Sequence, residues 1–96
     1  MLFRSFNLGT IVITSGATKA LFASKESSHK FLDRHVTGDW GDACKEDREL
    51  NELAITSGER IMSTYETAKL ETIWVISDAA DRSRVRTTTV LLPEEY

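Results

Sequence analysis

Apolar residues in this chain follow two different spacings, and the change falls at Gly58: helical intervals before it, alternation after it. One segment of the first half departs from that rule. Thr10-Ile11-Val12-Ile13-Thr14 is β-branched throughout and is followed by Ser15-Gly16, which predicts a short strand ended by a turn. Ala17 to Ser24 then has helical spacing, with Ala17, Ala20, Leu21 and Ser24 on one face. A second helix, capped by Ser27 or Ser28, runs to about Val36. Phe31, Leu32, His35 and Val36 form its apolar side, so His35 is expected to face the core. Gly38 stands where a C-terminal glycine of positive φ belongs. A third helix is expected from roughly Ala43 to Thr56. Asp42, Glu46 and Asp47 crowd its start, where carboxylates meet the positive end of the macrodipole. Leu50, Leu53 and Ala54 form its expected buried stripe, with Lys45, Glu49 and Glu52 pointing outward.

Beyond Gly58, Arg60 to Glu66 predicts a strand with Ile61, Ser63 and Tyr65 on one side. Thr67-Ala68-Lys69 is a connection of hairpin length without glycine. Leu70 to Ser77 is the strongest strand, nearly continuous in apolar residues and expected at the centre. Trp74 within it is expected to pack against a helix or a cross-strand neighbour. Asp78 to Ser83 is a polar loop. Arg84 to Leu92 is the last strand, with Val85, Thr87, Thr89 and Leu91 facing one way and Pro93 ending the pairing. The expected class is α+β: a short N-terminal strand, two to three helices, then a three-stranded antiparallel meander with the helices on one face. No repeat or linker divides the chain, and its 96 residues (1–96) read as one domain.

Composition narrows the classes of function. Apolar residues make up 41% and charged residues 28%, ordinary globular usage. The net charge of −3 disfavours a nucleic-acid binder, leaving Arg82, Arg84 and Arg86 as the basic candidates. Cys44 is the single cysteine, which excludes an internal disulfide and a zinc site built on cysteine pairs, and fits a reducing cytoplasm. The start Met1-Leu2-Phe3-Arg4-Ser5-Phe6-Asn7 does not read as a signal peptide, and no apolar run reaches membrane length.

Gly9-Thr10-Ile11-Val12, His35-Val36-Thr37-Gly38-Asp39-Trp40-Gly41, Glu46-Asp47, Asn51-Glu52 and Arg60 to Tyr65 form a recurring set. Ile73 to Ile76, Asp81-Arg82-Ser83 and Thr88 to Tyr96 complete it. In this combination the chain resembles a family of small, largely uncharacterised bacterial proteins carried on plasmids and other mobile elements. Two stretches depart from that pattern: the helices between Lys19 and Lys30 are less regular, and Arg84-Val85-Arg86 resembles an insertion before the last strand. Some members carry a label of type I restriction–modification subunit, which the residues exclude here. An adenine methyltransferase needs a glycine-rich cofactor loop and a proline-containing tetrapeptide around the flipped base. The one proline here is Pro93, and the glycines do not cluster.

The corner His35 to Gly41 holds the densest chemistry. His35 and Asp39 across a tight turn have the makings of an oriented acid–base pair, or of a structural clamp. Trp40 is either a partner anchor or a core plug. Asp39, Asp42, Glu46 and Asp47 match no cation-binding loop and read as an acidic face. Asn51, Arg60, Tyr65, Asp81 and Arg82 are the other polar candidates, expected to converge around His35 or to fix the register of the meander. No serine or cysteine lies in a nucleophile-elbow context.

The reading that follows is a non-enzymatic binding protein in the cytoplasm, without cofactor or metal. It would act for a mobile element on a host or plasmid protein, as a candidate inhibitor of host defence. Asp39, Trp40, Asp42, Glu46 and Asp47 would form the contact surface. The alternatives are a metal-assisted hydrolase or nuclease using His35, Asp39 and Asp47, and a DNA-binding regulator using the last strand's arginines. The state is a monomer, or a homodimer through Arg84 to Leu92 as an edge strand.

Overall fold

The structure, a computed structural model, describes residues 6–96, so the N-terminal reading of Met1 to Ser5 lies outside it. Its elements are β1 (Thr10–Ile13), α1 (Ser15–Ser24), α2 (Ser28–Val36), α3 (Lys45–Ser57), β2 (Ile61–Glu66), β3 (Thr72–Ser77) and β4 (Thr87–Leu91). A 3-10 turn at Pro93–Glu95 follows. This is the expected α+β class. The meander β2-β3-β4 is antiparallel, and β1 joins it in parallel with β4, so the sheet order is β1-β4-β3-β2.

That order corrects one expectation. Arg84 to Leu92 is not an edge: β4 lies between β3 and β1, and both sides of its backbone are taken. A homodimer through it is sterically closed. The strand is also shorter than its alternation implied. Asp81 Oδ1 accepts the N–H groups of Ser83 and Val85, and Arg84 adopts φ 63°, so the chain turns before pairing starts at Thr87. β3 likewise begins at Thr72, because Leu70 takes φ 64° in a loop organised by Thr67. The Thr67 N–H donates to Glu71 O, and its hydroxyl accepts from Glu71 N–H.

The helices sit on the sheet face made by Tyr65, Ile73, Val75 and Val90. Ala17, Ala20 and Leu21 of α1 and Phe31 and Leu32 of α2 pack there, with Leu8 and Leu92 alongside. Thr14 caps α1 through Ala17 N–H, and Ser27 caps α2 through His29 N–H. The Glu95 carboxylate comes back to the start of α1, accepting from Thr14 Oγ1 and Gly16 N–H, where the helix dipole favours a negative charge. The opposite sheet face carries the C-terminal turn, with Tyr96 set edge-on against Trp74 at 5.7 Å between ring centres.

Helix α3 overturns its predicted stripe. Ala54 is buried as expected, but Leu50 and Leu53 are 62% and 67% exposed, and Asn51 lies buried instead. The cause is the backbone of β2, whose outer edge has no neighbouring strand. Asn51 Nδ2 donates to Met62 O at 2.7 Å, and its Oδ1 accepts from Met62 N–H at 3.1 Å. Leaving both Met62 backbone groups unpaired beneath the helix would cost about as much as burying two leucines gains, and Asn51 satisfies both at once. One residue pair further on, Asp42 N–H donates to Thr64 O at 2.7 Å and Thr64 N–H to Trp40 O at 3.3 Å. Residues 40–42 and 51 thus stand in for a fifth strand. Asn51→Leu is expected to lower stability by about 2 kcal/mol, or roughly 10 °C in Tm, measured by thermal denaturation. An unchanged Tm would show that the edge does not need its amide.

Candidate functional site

The His35 to Gly41 corner begins with a Schellman ending of α2. Gly38 N–H donates to His35 O at 3.2 Å and Asp39 N–H to Arg34 O at 2.9 Å, with Gly38 at φ 87° as its sequence position implied. Gly41, at φ 66°, lies flat against β2. A Cβ there would stand 2.0 Å from Thr64 O, which explains the second glycine.

His35 is fully buried, as its place on α2 required, but its partners are not Asp39. Nδ1 lies 2.5 Å from Ser63 Oγ and Nε2 lies 2.9 Å from Ser77 Oγ. The direction of this chain can be worked out from its far end. Thr88 Oγ1 donates to Leu8 O at 2.7 Å, so it accepts from Ser77, at 2.7 Å. Ser77 has then used its hydrogen and accepts from His35 Nε2–H, leaving Nδ1 to accept from Ser63. The imidazole is neutral, with its proton on Nε2. Burial, reinforced by the Arg86 charge, holds its pKa down to about 3. Phe6 and Trp40 close around it edge-on, at 5.3 and 5.9 Å between ring centres.

Asp39 points the other way. Its carboxylate pairs with Arg34 Nε at 2.7 Å and accepts from Gly41 N–H at 3.1 Å; the Arg34 pairing is the main cause of its lowered pKa. Arg34 also lies over the Tyr65 ring at 4.5 Å, and the Tyr65 hydroxyl donates to Asp39 O at 2.6 Å. The acid–base pairing of His35 with Asp39 is therefore corrected: one is sealed inside, the other is clamped outside. Asp47 belongs to neither, lying exposed on α3 beside the Met62 end of β2. Among the described residues no three His, Cys, Asp or Glu side chains come together as a metal site.

Trp40 is a core plug rather than an exposed anchor. Its ring is 4% exposed and packs with Ala43, Ala54 and Ile61, while Nε1–H donates to Glu52 at 2.9 Å. Glu52, expected to point outward, is drawn in by that bond. Of the predicted contact surface, Asp39, Asp42, Glu46 and Asp47 remain exposed.

The second polar group does not assemble either. Asn51 serves Met62, Arg60 reaches the Tyr96 hydroxyl, Asp81 organises its own loop, and Arg82 is exposed. What approaches His35 instead is Arg86, one of the three arginines read as a basic candidate. It is buried, with Nη1 donating to Glu59 O at 2.7 Å and Asp78 O at 3.1 Å, and Nη2 to Ala54 O at 3.0 Å. A DNA-reading trio of arginines is thereby reduced to Arg82 and Arg84.

The open feature of this region is a groove of about 780 Å³ between α3 and the start of β2. Leu50, Leu53, Ala54 and Met62 form its apolar part, with Asp47, Glu59 and Arg60 among its charged lining. The sequence held one signal for it: Asn51, placed where the apolar stripe would have to turn if a polar residue faced inward. No helix among the described residues is long and apolar enough to cross a membrane. Comparison of the chain with protein-family models, curated proteins and solved structures found no match.

Proposed function

We propose that this is a non-enzymatic binding protein of a mobile element, occupying the surface of a host or plasmid protein through the groove between α3 and β2. The observation that carries the reading is the pair Leu50 and Leu53, one turn apart and both exposed beside Met62. A helix that turns two leucines to solvent while burying an asparagine leaves an apolar strip of the kind that marks contact surfaces. Its neighbours set the partner's chemistry. Asp47 and Glu59 line the groove beside a single arginine, Arg60, so a segment with an apolar row and a predominantly basic flank is complementary in shape and charge. The resemblance to plasmid-borne proteins supports a host or plasmid component as the owner of that segment. Of the residues named from the sequence, Asp47 lines this groove, whereas Trp40 does not.

The test is affinity capture from a bacterial lysate with identification by mass spectrometry, run beside a Leu50→Glu, Leu53→Glu double variant. Both side chains are exposed, so the fold should persist, checked by circular dichroism. The captured partner is expected to fall at least tenfold, and Glu46→Lys with Asp47→Lys to weaken it less. Equal capture by wild type and the leucine variant would remove the groove from the account.

A further inference from the structure

The two edges of the sheet are finished differently, and the difference points to a second interaction surface. The β2 edge is closed by Asn51 and by residues 40–42. The β1 edge is not. In the parallel ladder with β4, Thr10 N–H donates to Arg86 O and Thr14 N–H to Val90 O. Alternation therefore turns the even-numbered backbone groups of β1 inward and those of Ile11 and Ile13 outward. Among the described residues none bonds to them, and β1 is the last strand of the sheet. Its side chains are exposed as well: Ile11 and Val12 at 45% and Ile13 at 39%. Two of the usual protections of an edge are missing from it, since Thr10 to Thr14 contains no charge and no proline.

We propose that two copies of this chain pair through β1, antiparallel about a two-fold axis at Val12, to make one continuous eight-stranded sheet. The choice of a second copy rests on the sequence of the edge itself. Thr10-Ile11-Val12-Ile13-Thr14 reads the same in both directions. In an antiparallel pair centred on Val12, Ile11 faces Ile13 of the partner subunit, Thr10 faces Thr14 of the partner subunit, and Val12 faces its own copy. The outward groups of Ile11 and Ile13 are the ones such a register needs for its hydrogen-bonded pairs. No like charges are set opposite each other, and the interface is self-complementary as a closed two-fold contact must be. The apolar surface also continues beyond the strand. Ile13 shares a groove with Thr18, Leu21 and Phe22, and Phe22 is 86% exposed. The incoming Ile11 of the partner subunit, opposite Ile13, lands beside that groove. Five paired residues alone fall short of the about 800 Å² per partner of a standard interface, so α1 must contribute and assembly depends on concentration. This surface is separate from the α3 groove, and either can fail without the other.

Sedimentation velocity from low micromolar to several hundred micromolar should show the mass rise from one chain to two. Ile11→Pro removes an outward N–H and leaves the bonds to β4 in place, so it is expected to hold the protein monomeric with an unchanged far-ultraviolet spectrum. Register is read by crosslinking. In a Cys44→Ser background, Val12→Cys places two thiols on Cα atoms about 4.5 Å apart in a non-hydrogen-bonded pair, within disulfide reach. Thr10→Cys, whose copies lie about 13 Å apart along the strands, is the control. A disulfide-linked dimer for Val12→Cys and none for Thr10→Cys is the expected result, and it decides the matter if the proline variant does not fold. A monomer at every concentration, a dimer that survives Ile11→Pro in the folded state, or no preference for position 12 would each overturn the proposal.

Discussion

Between pH 7 and pH 5 the folded protein is expected to lose about 2 kcal/mol of stability through His35. The sign follows from the direction of its shift. Burial holds the folded imidazole near a pKa of about 3, against 6.5 when unfolded. Below pH 6.5 the unfolded chain takes up a proton that the folded chain refuses, so acid favours unfolding. The contribution is fully present above pH 6.5 and declines as pH falls, reaching a loss of about 4 kcal/mol near pH 3.5. Protonation is refused for a structural reason: Nδ1 already accepts from Ser63, and the arrangement through Ser77 and Thr88 to Leu8 O runs in one direction. The carboxylates act later. Glu26 is held low by Lys30, Asp39 by Arg34 and Glu95 by Thr14, so their stabilising contributions are lost below about pH 4.5. The window from pH 6.5 to 5 therefore separates His35 from them. Urea denaturation at pH 7, 6 and 5 should show the midpoint falling for wild type. His35→Gln, which keeps an amide donor and acceptor, should flatten that slope even if it starts from a lower stability. Equal midpoints for wild type at pH 7 and 5 would contradict the buried neutral imidazole.

Arg86→Ala is expected to destabilise the protein strongly at neutral pH, by about 3 kcal/mol, through lost charge-assisted hydrogen bonds and a cavity. Its guanidinium lies on three carbonyl oxygens from three separate places: the last turn of α3 at Ala54, the connection at Glu59, and the loop at Asp78. Removing it takes this donor from Glu59 O and Asp78 O, leaves Ala54 O with Gly58 N–H alone, and opens a cavity beside the Phe6 ring, over which Arg86 also lies at 5.5 Å. Ala54 O belongs to the negative end of the helix dipole, so a cation there is favoured even without a carboxylate partner. Arg86→Lys should recover less than half of the loss, because one ammonium does not reproduce the planar fork. Because the group is buried, the loss should change little between low and high salt. Thermal and urea denaturation of the three proteins, with the salt series, checks this. A loss below about 1 kcal/mol for the alanine variant would return Arg86 to the status of a surface arginine.

Both predictions rest on residues whose roles were only half legible from the chain. Helical spacing placed His35 on the inner side of α2, and Gly38 at the helix end, correctly. Alternation placed Ile61, Ser63 and Tyr65 on one side of β2, and that is the buried side. The serines were the signal that went unread: Ser63, Ser77 and Thr88 occupy inward positions of three neighbouring strands, which calls for a buried polar partner. His35 is that partner. Arg86 offered no such signal, since the third arginine of an alternating run with Arg82 and Arg84 looks like any surface charge until its carbonyls are known.

The sequence by itself determined the α+β class, the order of the elements, the inward faces of α1 and α2, and with the latter the inward position of His35. Those are local properties, because spacing within one segment decides which side chains share a face. Three features were decided only by the tertiary structure: the rotation of α3 that exposes Leu50 and Leu53, the parallel docking of β1 that makes β4 interior, and the burial of Arg86. Each answers to backbone groups distant in sequence. The free edge of β2 took Asn51 inward, the open side of β4 took β1, and carbonyls of three separate segments gathered a guanidinium. Hydrogen-bonding demand from the backbone is the same at every residue and leaves no mark on composition or periodicity. It becomes visible only when the chain is folded and the unpaired groups can be located.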